Sequence, residues 1–282
     1  MAHYNALFRN LLQVVPGHVF KQLENEHKLG RKPRKFTFRQ QFIVMAFMQL
    51  ANRRSLRDAL RCLTAAKNRL YHWGLTKVSR STVADANCKR PYTYFEDFFA
   101  AMYQHCRNIA PRHKFRFKSK LYSMDATVIS LCLSIFPWAT FRKNKGGIKL
   151  NTVLDHDGHI PSFVSVSQAD AHESNMGKCL NLSKGSIVTF DRGYCDYQWF
   201  NHLSSKGIYF VTRMKSNMVY KLIKRNQVNP STGVSSDHCV MVKRKNFSLP
   251  LRRIGYVDQE NGKHYVFLSN NFTLSAKTIA DI

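Results

Sequence analysis

The rhythm of apolar and polar positions changes near residue 117. Before it, apolar side chains recur every three or four residues, as on the buried face of a helix. After it, they alternate or form short runs bounded by turn residues, as in strands.

In the front part, Thr37-Phe38-Arg39-Gln40 has the form of a capping box, in which two orphan backbone donors are satisfied reciprocally. The apolar residues Phe42, Ile43, Met45, Ala46, Phe47 and Leu50 follow it. Ser55 predicts a second cap, ahead of Leu56, Ala59, Leu60 and Leu63 at helical spacing. Thr93 with Glu96 predicts another capping box. It opens an aromatic helix through Phe95, Phe98, Phe99 and Met102 that ends near Pro111. Between these, Ser79 to Asn87 predicts a short capped helix, while Gly30 and Pro33 make Lys28 to Lys35 a basic loop.

In the later part, Leu121 to Leu133 predicts one strand turning into another. Lys149 to Leu154, Ser162 to Ser167, Ser186 to Phe190 and Ile208 to Thr212 predict further strands, and Glu173 to Leu182 and Tyr197 to Ser205 predict helices. Such alternation argues an α/β core with crossover connections. Asp157-Gly158 predicts a hairpin turn, which accounts for the clustered His156, His159 and neighbouring aspartates. Residues 215–270 lose the helical pattern and read as β-rich, and Ser275 caps a final short helix. Trp73, Trp138 and Trp199 sit among apolar neighbours and are expected in the core.

The break in pattern suggests two domains, helical over 1–115 and α/β over 116–282. With 44% hydrophobic and 12% aromatic residues, wholesale disorder is excluded. Charge changes the picture most. The formal net charge is +27, and the first 120 residues carry 24 of the 44 basic groups but only 6 of the 17 acidic ones. Such an excess is self-repelling and finds compensation in a polyanion, nucleic acid first. No run of about 18 apolar residues offers a membrane span, and Met1 to Asn5 opens no apolar signal core. The seven cysteines are scattered without a C-x-x-C pair, and no H-E-x-x-H occurs among the histidines. A disulfide framework and a zinc enzyme are therefore not expected, and a cytoplasmic, nucleoid-associated location is.

Arg80, Thr82 and Asn87 on the Ser79–Asn87 helix suit a DNA groove, with Lys89 and Arg90 beside it for phosphates; a solvated basic face is the alternative. The basic pieces Lys28–Lys35, Lys221–Arg225 and Lys243-Arg244-Lys245 have the same two readings.

Two carboxylates stand apart. Asp125 interrupts the apolar stretch Leu121 to Ile129, where a charge is costly unless paired or bound to metal. Asp191 ends the run Ile187-Val188-Thr189-Phe190, at the carboxyl end of a strand, where α/β sheets bind ligands. If the two strands are neighbours the carboxylates meet and repel, unless one is protonated or a divalent cation lies between them. In a DNA-seeking protein Mg²⁺ for phosphoryl transfer is the economical choice, with Mn²⁺ able to replace it. Either aspartate can instead be a cap or an ion-pair partner.

The segment Ser123-Met124-Asp125-Ala126-Thr127-Val128-Ile129-Ser130-Leu131, taken with Thr189-Phe190-Asp191-Arg192-Gly193-Tyr194, resembles the DDE transposases of the IS4 insertion-sequence family. The resemblance covers nearly the whole chain, and its D-R-G-Y piece is the most specific part. It implies a ribonuclease H-like sheet flanked by helices, preceded by a helical domain, with 215–270 as a β-rich insertion. It implies that Asp125 and Asp191 are the first two metal-binding, catalytic carboxylates. Lys149, in Gly146-Gly147-Ile148-Lys149-Leu150, matches a basic position near the family's active site, and it and Arg192 are expected on DNA. The implied partners are terminal inverted repeats and target DNA, bridged by a homodimer. The family's third acid is a Glu on a helix with a Y-x-x-R-x-x-x-E signature, which these residues do not contain. Asp281 sits on a helix expected to be too short to position it. The expectation is a chain cut short before the Glu-bearing helix and impaired in strand transfer. The alternative is a catalytically dead remnant that occupies transposon ends.

Overall fold

In a computed structural model, residues 3–27, 35–132, 134, 136–142, 145–169, 180–244 and 247–282 are described. The expected helix Glu173–Leu182 and the basic loop Lys28–Lys35 fall mostly outside them, as does Lys245. Contacts divide the chain into a helical unit ending at Cys106 and a sheet unit beginning at Arg107, ahead of the expected break.

The helical unit contains α1 (His3–Val14), α2 (Gly17–Glu26), α3 (Phe38–Leu50), α4 (Leu56–Ala65), α5 (Leu70–Trp73), α6 (Arg80–Lys89) and most of α7 (Thr93–Ile109). The capping box forms as expected: Thr37 N–H donates to Gln40 Oε1 at 3.0 Å, and Gln40 N–H to Thr37 Oγ1 at 3.2 Å. Ser55 and Ser79 cap α4 and α6. The second expected box does not form. α7 already begins at Thr93, and the Tyr92 carbonyl accepts the N–H groups of Phe95 and Glu96. Helical spacing delivers the core: Phe8, Leu12, Ile43, Val44, Leu60, Leu63, Trp73 and Val83 form one cluster, and Phe20, Leu23, Phe38, Tyr94 and Phe98 a second.

The sheet unit is built on β1 (Leu121–Leu131), β2 (Thr140–Arg142), β3 (Lys145–Asp155), β4 (Ile160–Gln168), β5 (Ile187–Phe190), β6 (Tyr209–Arg213), β7 (Tyr220–Asn226), β8 (Val234–Val242), β9 (Pro250–Val257) and β10 (His264–Ser269). Two helices accompany them, α8 (Tyr197–Ser205) and α9 (Ala276–Asp281). The strands form one ten-stranded sheet, in which β3, β1, β5 and β6 are successive neighbours and β4 pairs with the outer edge of β3. β1, β5 and β6 run parallel, and β3 and β4 antiparallel. In chain order of these five strands the arrangement is 3-2-1-4-5, that of a ribonuclease H-like core. The β-rich stretch does not form a separate module. β10 pairs antiparallel with β6, so β10, β9, β8 and β7 continue the same sheet outward.

Strand alternation gives the sheet two faces. One carries Tyr122, Met124, Val188, Phe190 and Phe210, packed under Trp199, Phe200 and Leu203 of α8. The other carries Leu121, Ile187, Val211 and Ile254, packed under Ile279 of α9. Leu121 to Leu131 is a single strand, not two. Trp73 and Trp199 are buried, but Trp138 is 60% exposed: it lies in a 3-10 turn beyond the sheet, edge-on to Phe136. The β3–β4 turn spans His156 to His159, with Gly158 at φ +73° and His159 at φ +53°. Among the described residues no helix is long and apolar enough to cross a membrane.

Candidate active site

The parallel register between β1 and β5 aligns Leu121 with Ile187 and, three pairs on, Met124 with Phe190. Asp125 and Asp191 are the next residues on the two strands. Neighbouring strands lie about 4.8 Å apart, so the aspartates occupy adjacent positions on adjoining strands. Met124 and Phe190 are buried in the α8-side core, so alternation turns Asp125 and Asp191 to the opposite face, the one α9 covers. Two residues upstream on that face, Thr189 Oγ1 donates to Ser123 Oγ at 3.2 Å, and Ser123 lies 2.5 Å from His156 Nε2. Burial, with His159 and His113 nearby, pushes the His156 imidazole below its ordinary pKa.

Both aspartates are solvent-exposed and line one open cleft of about 650 Å³ with Thr189, Thr212, Arg213 and Asp281. Among the described residues no ion pair involves either one. Asp191 precedes a 3-10 turn (Arg192–Tyr194) without capping it through its side chain, so the cap reading of that residue does not hold. The Arg213 guanidinium stacks 4.9 Å from the Tyr265 ring. No group of three metal-ligating side chains is assembled among the described residues. The donor set nonetheless fits a hard dication: Mg²⁺ is commonly held by one or two carboxylates, keeping waters and substrate phosphates as its other ligands.

Asp281 reaches this cleft because α9 is not left to its own stability. Ser275 caps it, Ile279 is fully buried, and Ile282 packs against the same cluster. Arg252, in a buried bidentate pair with Asp237 (2.9 and 2.7 Å), also donates to the carbonyls of Asn271 and Leu274 just ahead of the cap. Tertiary packing thus overrides the marginal length of an isolated helix. The Asp281 carboxylate itself is paired with Lys277 one turn back.

Lys149 is not brought to the carboxylates. It pairs with Val128, whereas Asp125 pairs with Thr152, and the odd number of steps between them turns Lys149 to the opposite face, where it is 9% exposed. Arg192 is exposed directly after Asp191. On α6, Arg80, Thr82, Asn87 and Lys89 are exposed, Lys89 forming an i,i+4 pair with Asp85 at 3.4 Å. Thr82 also lines a cleft of about 720 Å³ with Lys35, Arg39 and Lys77. Asn87 and Arg90 have other partners. Asn87 Oδ1 accepts from Gln41 at 2.6 Å, which ties α6 to α3. Arg90 donates to the carbonyls of Phe36 and Thr37 and to Gln41 Oε1, and stacks 4.4 Å from the Phe38 ring. Its fork satisfies the entry to α3 and leaves little for a phosphate.

Two family profiles match the chain. One, described as a transposase DDE domain, covers residues 116–282; the other, a domain of unknown function (DUF4372), covers residues 3–76. A Sinorhizobium fredii protein provisionally named a transposase is 28% identical over 205 residues, covering 70% of this chain and 56% of its own length. A Geobacillus stearothermophilus protein, provisionally named a transposase for the insertion sequence element IS5377, is 26% identical over 215 residues, with 74% and 56% covered. The chain therefore spans little more than half the length of the curated relatives it matches. A piggyBac transposase in a synaptic complex with hairpin DNA aligns at a TM-score of 0.41 and 14% identity, over 98% of this chain and 63% of that one.

Proposed function

The chain belongs to the transposase DDE-domain family, and we propose that it binds duplex DNA and uses Asp125 and Asp191 to hold Mg²⁺, or Mn²⁺ in its place, for cleavage and joining at transposon ends. One observation carries this reading: two exposed carboxylates, without ion-pair partners among the described residues, occupy adjacent positions on neighbouring parallel strands and line one cleft. Mutual repulsion makes that arrangement unfavourable by itself and favourable around a dication.

When bound there, the cation supplies neutralisation of phosphate charge and polarisation of the reacting oxygens. The chain's own part is positional. β1 and β5 fix the two carboxylates through a buried ladder, and the Ser123–Thr189 hydrogen bond ties the strands together just below them. Arg192 beside Asp191, and Arg80, Thr82 and Lys89 on α6, contact DNA in this reading. The partners are terminal inverted repeats and target DNA, bridged by two copies of the chain in the cytoplasm. Two carboxylates hold a dication less firmly than three, so these 282 residues by themselves carry out strand transfer weakly.

The test uses the purified chain with an end-sequence duplex, read for binding and for nicking in Mg²⁺ and in Ca²⁺. Binding in both, with slow nicking in Mg²⁺ that Asp125→Ala abolishes, is the expected result. Nicking that survives both Asp125→Ala and Asp191→Ala overturns the metal site. Vigorous strand transfer overturns the weak activity. Binding without any nicking favours the second reading, a protein that occupies transposon ends.

A further inference from the structure

The segment from Arg112 to Lys120 leads from α7 into β1 and reads Arg-His-Lys-Phe-Arg-Phe-Lys-Ser-Lys. Its exposure alternates. Arg112, Lys114, Arg116 and Lys118 are exposed, while His113, Phe115, Phe117 and Ser119 are partly covered. The inward residues are fastened. His113 N–H donates to Asp157 Oδ1 at 2.8 Å, and His113 Nε2 lies 2.8 Å from the Ser119 carbonyl. Phe115 and Phe117 stack at 5.3 Å and pack against the cluster of Leu121, Ile187 and Ile279. Lys120 closes the segment by pairing with Asp155 at 3.0 Å and Asp157 at 2.7 Å. The acids of this neighbourhood are thereby already compensated. Among the described residues the four outward cations have no carboxylate partner, and three of them, Arg112, Arg116 and Lys118, line a small cleft of about 220 Å³.

We propose that Arg112, Lys114, Arg116 and Lys118 form a second DNA-contacting surface, a row of cations that grips the phosphates of duplex DNA on the sheet unit. This rests on the DNA-processing reading above and adds to it a contact made by the sheet unit. Four uncompensated charges on a fastened segment form a preorganised complement to a polyanion, because little ordering remains to be done on binding. A bilayer is a poorer match, since the aromatic side chains that would insert into it are turned inward onto the sheet. The placement also suits DNA held at the carboxylates. Phe115, Phe117 and the aspartates share the α9-covered face, and Leu121 precedes Asp125 by four residues of strand. That is about 13 Å, or roughly four base steps at 3.4 Å each.

The test is fluorescence anisotropy of the purified chain on a 30-bp duplex across a salt series from about 50 to 300 mM. Each phosphate contact contributes about 0.9 to the slope of log K against log salt. The variant R112Q/K114Q/R116Q/K118Q is expected to lower the slope by about 3 and to weaken binding to all sequences alike. A charge-conserving swap, R112K/K114R/R116K/K118R, is expected to restore it. Removing Lys184, Lys206 and Lys263, exposed cations elsewhere on the sheet unit, is expected to change the slope by less than 1. An unchanged slope in a quadruple variant that melts like the parent overturns the proposal, and so does an equal loss per charge in the control. If the quadruple variant melts early, R116Q and K118Q tested singly each lower the slope by about 1, or the proposal fails. A parent chain with no salt-dependent DNA binding sinks the DNA reading altogether, an outcome distinct from a parent that binds with a slope these four cations do not control.

Discussion

The two ends of the parallel ladder between β1 and β5 treat carboxylates in opposite ways. At its start, Asp155 is fully buried and Asp157 nearly so, and both are held by Lys120 within 3.0 Å. At its finish, Asp125 and Asp191 are exposed and have no cationic partner among the described residues. A buried carboxylate without compensation is not tolerated, so the chain supplies its own lysine. Two adjacent exposed carboxylates that the chain does not compensate are, in the function proposed above, completed by a dication. On that proposal, the contrast separates charge that holds the fold from charge that is kept for a ligand.

If that division is right, substitutions at the two ends fail differently. Asp125→Ala or Asp191→Ala should cost about 10³-fold or more in metal-dependent nicking, while the unfolding free energy read in urea changes by no more than about 0.5 kcal/mol. Paired nicking and unfolding measurements check both halves, and a large loss of stability at either residue would erase the comparison. Asp155→Ala should do the reverse, destabilising the sheet unit by about 3–5 kcal/mol by leaving Lys120 half-buried beside a single acid, as read in urea unfolding.

Arg90→Lys tests a cation at the other extreme, inside the helical unit. It should cost about 1–2 kcal/mol, because an ammonium cannot serve the carbonyls of Phe36 and Thr37 and Gln41 together, while DNA affinity falls by less than threefold. A tenfold loss of affinity at unchanged stability would return Arg90 to the DNA surface.

The smallest effect is in pH. Burial pushes the Asp157 carboxyl up, but hydrogen bonds from Lys120 and from the His113 N–H outweigh it and hold the group below the usual carboxylate range. Its stabilisation is therefore fully present above about pH 4 and is lost as pH falls through the folded value, where the unfolded chain binds more protons. Asp157→Asn should flatten the acid limb of the stability profile, and an unchanged limb would show that the pair contributes nothing there.

Much of this was legible in the sequence, for reasons that vary by element. The capping box at Thr37 and the caps at Ser55, Ser79 and Ser275 are local chemistry and could be read directly. Asp125 and Asp191 stood out because each breaks or ends an apolar strand. That the strands adjoin came only from the resemblance and, independently, from the register. What stayed hidden was long-range. Arg90 looks like any surface arginine until the chain brings Phe36 and Gln41 to it, and Lys149 looks available until pleating turns it away. α9 looks unsupported until Ile279 finds Leu121 and Ile187. The row from Arg112 to Lys118 had a visible signal, cations alternating with His and Phe. That alternation implies an anchored basic edge only once a sheet exists to receive the aromatic rings.

The pairing of β10 with β6 joins positions more than fifty residues apart, Phe267 with Arg213 and Leu268 with Thr212. Contacts of such separation form late, after the nearer hairpins have closed. On the ribosome, both aspartates, at positions 125 and 191, are also made well before the helix at 276–281 that borders their cleft. Order of synthesis alone leaves the sheet face that carries both aspartates uncovered until its closing helix is made.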